Sequence, residues 1–254
     1  QLAAGQNGYR RALLADSPGW MGGSLLYALE AVRNDGPFER PDDFRKFNGV
    51  LRYAQGDAAN GWNLTGMAYT GKWNATDQIP LRAVDDGTLG RFGLIDPTDG
   101  GKAHRYSLSG NWRRGGEGSS TEVQAYIAHW NLELFSNFTY FLDNPVDGDQ
   151  FAQPDRRTMT ALNARHAWAS DWFGREGENQ AGLQIQNDNI HNALLNTRAR
   201  QTLSDVRRDH IGQTSVGAWF ENAVRWTPTF RSVAGLRADH YRFDVRSDLA
   251  ENSG

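Results

Sequence analysis

The sequence predicts an all-β fold: a transmembrane, antiparallel, up-and-down β-barrel, of which this chain is an incomplete stretch of about ten strands. Three observations predict it. Side chains alternate between apolar and polar over segments of about ten residues. The connections between segments alternate between short and long. Aromatic side chains gather near segment ends.

Ten segments carry the alternation, at 8–15, 24–33, 44–54, 62–73, 103–113, 120–132, 157–169, 180–187, 214–225 and 230–245. In the second, Leu25, Tyr27, Leu29 and Ala31 oppose Ser24, Glu30 and Asn34. In the third, Phe47, Gly49, Leu51 and Tyr53 fall on one face, and Lys46, Asn48 and Arg52 on the other, with Val50 among them. The fifth sets Tyr106, Leu108, Gly110 and Trp112 against Arg105, Ser107, Asn111 and Arg113. Successive side chains of a strand point to opposite faces, so each segment has one apolar and one polar face. A soluble sheet with one wetted face gives the same pattern; the connections separate the two.

After odd segments the predicted connections are short, at 16–23, 55–61, 114–119, 170–179 and 226–229. After even segments they are mostly long, at 34–43, 74–102, 135–156 and 188–213. Short turns on one rim and long excursions on the other mark an outer-membrane barrel. Trp62, Trp73, Trp112, Trp130, Trp168, Trp226 and Tyr241 lie near segment ends, as expected of a girdle at the membrane–water interface. The segment lengths suit strands that cross the hydrocarbon layer at a tilt, and closure is required because lipid cannot satisfy free backbone groups.

Composition narrows the classes. The 254 residues contain no cysteine, so disulfides, thiolate metal sites and cysteine nucleophiles are excluded. A formal net charge of −3 gives no basic excess for a nucleic-acid partner. No run of about 18 apolar residues is present, which excludes a helical membrane protein but not a barrel. The chain opens in mid-pattern at Gln1-Leu2-Ala3-Ala4-Gly5 and closes on the loop-like tail Glu251-Asn252-Ser253-Gly254. It is therefore expected to be a fragment, read throughout as one partial barrel domain over 1–254.

The stretch from Leu134 to Phe151, containing Ser136-Asn137-Phe138-Thr139-Tyr140-Phe141-Leu142 and Gly148-Asp149-Gln150-Phe151, resembles one proteobacterial group of TonB-dependent receptors. Asp77-Gln78-Ile79-Pro80, Asp35-Gly36-Pro37 and Gly235-Leu236-Arg237-Ala238-Asp239 are similar as well. The resemblance implies a barrel of about 22 strands around an N-terminal plug. It implies outer-membrane import driven by the TonB–ExbB–ExbD complex, with a ferric siderophore as the leading cargo and haem, cobalamin or a glycan as others. The expected surroundings are outer-membrane lipid and lipopolysaccharide. No TonB box, plug or terminal aromatic strand is recognised in this chain.

Candidate residues follow. Arg52, Arg105, Arg113, Gln184, Gln186, Arg237 and Asp239 are expected on the inward face, where solvation and cross-strand pairing account for them more readily than contacts to a plug and an anionic chelate. Trp73, Asp77, Tyr140, Asp143, Asp149, Arg198 and Arg200 are the candidate outer-loop contacts to substrate. Asp143, Asp147 and Asp149 offer carboxylates to a hard cation but lack the EF-hand spacing, and no metal site is assigned. His191 and His210 are read as loop histidines that could capture haem. No nucleophile elbow or phosphate loop occurs, so no catalytic residue and no cofactor is assigned. Two alternatives stay open: a passive porin-like channel, and a secreted all-β module that binds or cleaves glycans in two packed sheets.

Overall fold

A computed structural model describes residues 1–250; the tail Glu251–Gly254 lies outside the described residues. Twelve strands form one antiparallel sheet. In order they are β1 (Leu2–Ala4), β2 (Arg10–Asp16), β3 (Gly19–Trp20), β4 (Gly23–Asn34), β5 (Phe44–Gly56) and β6 (Asn60–Asn74). A five-residue helix, α1 (Leu81–Asp85), follows. Then come β7 (Gly100–Gly116), β8 (Ser119–Ser136), β9 (Phe151–Asp171), β10 (Glu176–Arg198), β11 (Gln201–Arg225) and β12 (Arg231–Ser247). Each strand pairs with its sequence neighbours, except that β3 is a two-residue arm on β4 and β2 pairs directly with β4. Among the described residues β1 and β12 do not pair, so the sheet is open. A two-sheet glycan module is therefore overturned: one sheet accounts for every strand.

Register places the alternating side chains on two distinct faces. Leu29, Gly49, Ala68 and Tyr106 form one cross-strand row, and Leu51, Gly66, Leu108 and Ile127 the next. The row continues in kind through Leu162, Ile185 and Val216. These side chains do not meet in a sealed centre. Leu51 is 56% exposed, Leu108 48% and Leu236 79%. A continuous apolar band on an uncovered sheet face is what hydrocarbon covers in a membrane barrel.

The connections keep rim order. Residues 57–59, 117–118, 172–175 and 226–230 turn the chain at one rim, and 35–43, 75–99 and 137–150 at the other. Tight geometry is encoded locally: Asp57 Oδ1 accepts the backbone N–H groups of Ala59 and Asn60 at 2.8 and 2.7 Å, while Gly118 supplies a φ of +68°.

One connection differs from the sequence expectation. The long loop foreseen at 188–213 is instead a β-hairpin, because β10 and β11 run 23 and 25 residues and meet at the two-residue turn Ala199-Arg200. Both turn residues have positive φ, +49° and +67°, the geometry of a hairpin turn whose twist matches its strands. At about 3.3 Å per residue, β11 extends roughly 80 Å, far more than a tilted crossing requires. The excursion stays on the long-connection rim but as paired strand, with register shifts at Leu194/Leu195 and Asn196/Thr197.

The aromatic girdle also needs correction. Trp62 faces Trp112 across the β6–β7 ladder on the apolar face, and Trp168 shares that face. With Trp20 and Tyr53, whose rings lie 5.8 Å apart, and Tyr53 and Trp62, 5.4 Å apart, they form a belt near the short-connection rim. Trp73, Trp130 and Tyr241 occupy the opposite, polar face. Trp226 sits in the last turn, its indole N–H donating to Ser232 at 2.7 Å. Nearness to a strand end does not fix which face a side chain takes; strand parity does.

Candidate functional site

The polar face is built by the alternate residues of the same strands. Near β4 and β5, Glu30 accepts from Arg11 at 2.6 Å, Lys46 at 2.7 Å and Asn48 at 2.9 Å. Near β7 to β9, Glu122 accepts from Arg113 and Asn111 at 3.0 Å and faces Arg165 at 3.7 Å. Near β10 to β12, Arg237 holds Asp239 at 2.7 Å and donates to Gln184 at 2.8 Å. The first two clusters link neighbouring strands and the third reaches from β12 across Gly217 of β11 to β10, so carboxylates and guanidinium groups stabilise the sheet as they line the wall.

At the level of Tyr69 the wall changes character. Tyr69, Arg105, Trp130 and Arg157 are directly opposed across β6 to β9. The guanidinium carbons of Arg105 and Arg157 lie 5.9 and 5.1 Å from the centre of the Trp130 ring, a cation–π sandwich. Met67, Tyr126 and Met159 line the adjacent hollow, a cavity of about 630 Å³. Tyr126 donates its hydroxyl to Met159 Sδ at 3.0 Å. The hollow thus combines an apolar floor with the Arg105 guanidinium, while Arg157 is paired with Asp155 at 3.1 Å.

At the long-connection rim, Gln150 is the hub. It is 2% exposed. Its amide N–H groups donate to Thr98 Oγ1 at 2.6 Å and to Asp96 and Asp99 at 3.2 Å each. Its Oε1 accepts from the Thr197 hydroxyl at 3.0 Å and from the Arg200 backbone N–H at 2.9 Å. Asn137 adds a second cross-link, its backbone N–H donating to Asp77 at 2.8 Å and its side chain to Asp96 at 2.8 Å. The connections at 75–99 and 137–150 and the β10–β11 tip are therefore bonded into one knot. Burial, then the charges of Asp96 and Asp77, raise the Asp99 carboxyl to about 8.

The predicted outer residues divide over this rim. Asp77 and Tyr140 join the knot; the Tyr140 hydroxyl donates to the Gln78 carbonyl at 2.5 Å. Burial pushes that phenol up to about 12, with nearby aspartates adding to the shift. Asp149 accepts from the N–H groups of Leu142, Asp143 and Asn144 at 2.8, 3.1 and 2.7 Å. Asp147 pairs with Arg198 at 2.9 Å. The Asp143–Asp149 stretch thus spends two of its three carboxylates on its own folding, and Asp143 remains exposed. Arg200 is a clasp, donating to the carbonyls of Thr98 and Asp99 at 2.6 and 3.0 Å and lying 5.4 Å over the Phe135 ring. Trp73 stacks into room left by Gly101, where a Cβ would stand 2.9 Å from the indole.

The predicted inward residues Arg52, Arg105, Arg113, Arg237 and Asp239 all lie on the polar face. Arg52 makes no ion pair among the described residues. His191 and His210 are not loop residues. They oppose each other in β10 and β11, ring centres 4.3 Å apart, on the apolar-band side and away from the polar wall. Sequence reasoning missed Gln150 as hub and Trp130 as a wall residue; alternation through Leu132, Trp130 and Ala128 carried the signal for the second.

No protein-family profile matches the chain. No curated protein matches it by sequence. Among solved structures it is similar to the ferric citrate transporter FecA in the unliganded form, at TM-score 0.73 and 13% identity, over 96% of this chain and 36% of that one. It is also similar to P. aeruginosa FpvA bound to iron and a heterologous pyoverdine, at TM-score 0.68 and 11% identity, over 97% of this chain and 37% of that one. The chain spans little more than a third of the length of either. Both are TonB-dependent receptors, and the open meander of strands described above has the fold of a stretch of their barrel wall.

Proposed function

We propose that this chain is wall from an outer-membrane receptor that imports an anionic iron chelate, most simply a ferric siderophore. The observation that carries the reading is the two-faced sheet: an uncovered apolar band on one side, and on the other a wall rich in guanidinium and amide groups. Arg52, Arg105, Arg113, Arg237 and Asp239 would face the lumen. Trp73, Asp77, Tyr140, Asp143, Asp149, Arg198 and Arg200 would shape the outer mouth. The hollow beside Arg105 and Trp130 suits a chelate with apolar surface and negative charge, since the Arg105 guanidinium attracts the anion and Met67, Tyr126 and Met159 supply an apolar floor.

In this reading the chemistry is capture and release. Energy would come through TonB and the ExbB–ExbD complex acting on a plug within the complete protein, and no hydrolytic site is needed in the wall. The test is uptake of radioactive iron chelates by cells expressing the complete gene product, with and without TonB. Accumulation that requires TonB supports the receptor. Entry that proceeds equally without TonB would identify a passive channel instead, and recovery of the protein in a soluble fraction would remove both readings.

A further inference from the structure

We propose that His191 and His210, together with Asp248, form a site for a borderline divalent metal ion, zinc foremost, on the outward side of the wall above the apolar band. The inference uses register and side-chain geometry and stands apart from the transport reading. His191 in β10 and His210 in β11 are directly opposed partners, so their side chains leave the same face side by side. Their ring centres are 4.3 Å apart, with the planes at 79°. Asp248, one residue past the end of β12, reaches the second imidazole: its Oδ2 lies 3.2 Å from His210 Nε2. Two ligands about 2.0–2.1 Å from a tetrahedral zinc stand roughly 3.3 Å from each other, so this nitrogen–oxygen pair already has the spacing of neighbouring ligands. No three such side chains among the described residues already enclose a common point. Closing the site takes a turn of the His191 ring, from edge contact with His210 to the shared metal.

The donor set selects the class of ion. Two imidazoles and a carboxylate, with a fourth position left to water, suit zinc and its neighbours, whereas calcium and magnesium take oxygen ligands. Hollows of about 590 and 360 Å³ flank the pair, and His191, His210 and Asp248 line both, so a hydrated ion can enter from solvent. The pair stands three outward-facing positions above Ile185 and Val216 of the apolar band, roughly 20 Å along the strands. Two nearby guanidinium groups are engaged elsewhere: Arg246, opposite His210, is held by Asp244 at 3.0 Å, and Arg208 by Asp205 at 3.0 Å. The third, Arg156, directly opposes His191 from β9. Burial, then His210 and Arg156, lower the His191 imidazole below its ordinary value, while Asp248 works the other way. The ring is therefore neutral near pH 7, the form that ligates a metal. A bound ion would tie β10 and β11 to the segment that follows β12.

The test uses the complete protein, purified in mild detergent without a histidine tag, stripped with chelator and titrated with zinc by calorimetry at neutral pH. Other parts of the complete protein can hold zinc too, so the readout is the difference between the parent and folded variants. His191→Gln and His210→Gln should each weaken one zinc equivalent by more than about tenfold, and Asp248→Asn by about tenfold. Arg156→Gln removes a cation beside the site and should tighten the same equivalent roughly threefold. An excess of calcium or magnesium should leave it in place. Zinc should slow hydrogen exchange at 189–193 and 208–212 in the parent and in neither histidine variant. Heat-modifiable migration on gels reports whether each variant still folds. Zinc binding of equal stoichiometry and affinity in the parent and in folded His191→Gln would sink the proposal, as would a parent that takes up no zinc or yields it to calcium. None of these readouts involves TonB or a chelate, so the receptor reading can fail while the metal site stands, and the reverse.

Discussion

The side-chain oxygen of Gln150 accepts the hydroxyl of Thr197 at 3.0 Å, and both residues are almost fully buried, at 2% and 1% exposed. The bond ties the 137–150 connection to the top of β10. On the other side of the same amide lie Thr98 and Asp99, so one residue holds three excursions together.

Gln150→Ala should open this knot without dissolving the sheet. It strands Thr197 and Asp99, and each buried group left unpaired costs about 1–3 kcal/mol. Hydrogen exchange should rise at 75–99 and 137–150 while heat-modifiable gel migration persists. Unaltered exchange in both connections would show that the hub role is wrong.

The knot should weaken as pH rises. The Asp99 carboxyl sits near 8 in the fold against an ordinary value of 3.8, so the folded form binds its proton more tightly than the unfolded one. Stability is full below the ordinary value, declines from about 4 to about 8, and is lowest above that. Protease cleavage within 75–99 should accelerate over this window. In Asp99→Asn, which keeps a neutral side chain at every pH, that acceleration should disappear.

Adjacent residues of β7 should respond in opposite ways to the same substitution. Leu108→Arg puts a cation on the apolar band and should cost about 2–4 kcal/mol if the site is near mid-bilayer. Ser107→Arg places it on the polar wall and should cost under about 1 kcal/mol. Urea titrations of the complete protein in lipid vesicles measure both. Equal costs would mean that the faces are misassigned.

Trp130→Ala should weaken chelate binding more than Trp130→Phe, because phenylalanine keeps a ring between Arg105 and Arg157. Without the indole the two guanidinium groups lose their cation–π support of about 0.5–2 kcal/mol, so Arg105 is less well placed and Kd should rise. Fluorescence quenching by ferric chelates at equilibrium reads this directly. Identical affinities for the two variants would remove Trp130 from the binding wall.

Sequence alone located the crossing strands well, because period-two alternation is strong wherever one face is apolar. Phe44–Gly56 was expected to within a few residues from Phe47, Leu51 and Tyr53. Where both faces turn polar the signal vanishes although the ladder continues. Asp188-Asn189 and Arg207-Arg208-Asp209 read as loop, yet all five residues lie in paired strand. The turn between those strands is Ala199-Arg200, with neither the glycine nor the asparagine that normally announces a hairpin. That Arg52, Arg105, Arg113, Arg237 and Asp239 share one polar face was legible because parity alone decides a face. The Gln150 hub was not, since its bonds join residues about fifty positions apart, and nothing local encodes such a pairing.

The Ala199-Arg200 hairpin has a further consequence under the proposed outer-membrane reading. Digestive enzymes bind their targets as extended, unpaired backbone, and a slack tether of 26 residues at 188–213 would supply it. A stiff prong whose amides are already engaged does not. Shaving intact cells should therefore spare this excursion, and antibodies raised against it should recognise shape and fail on the denatured chain.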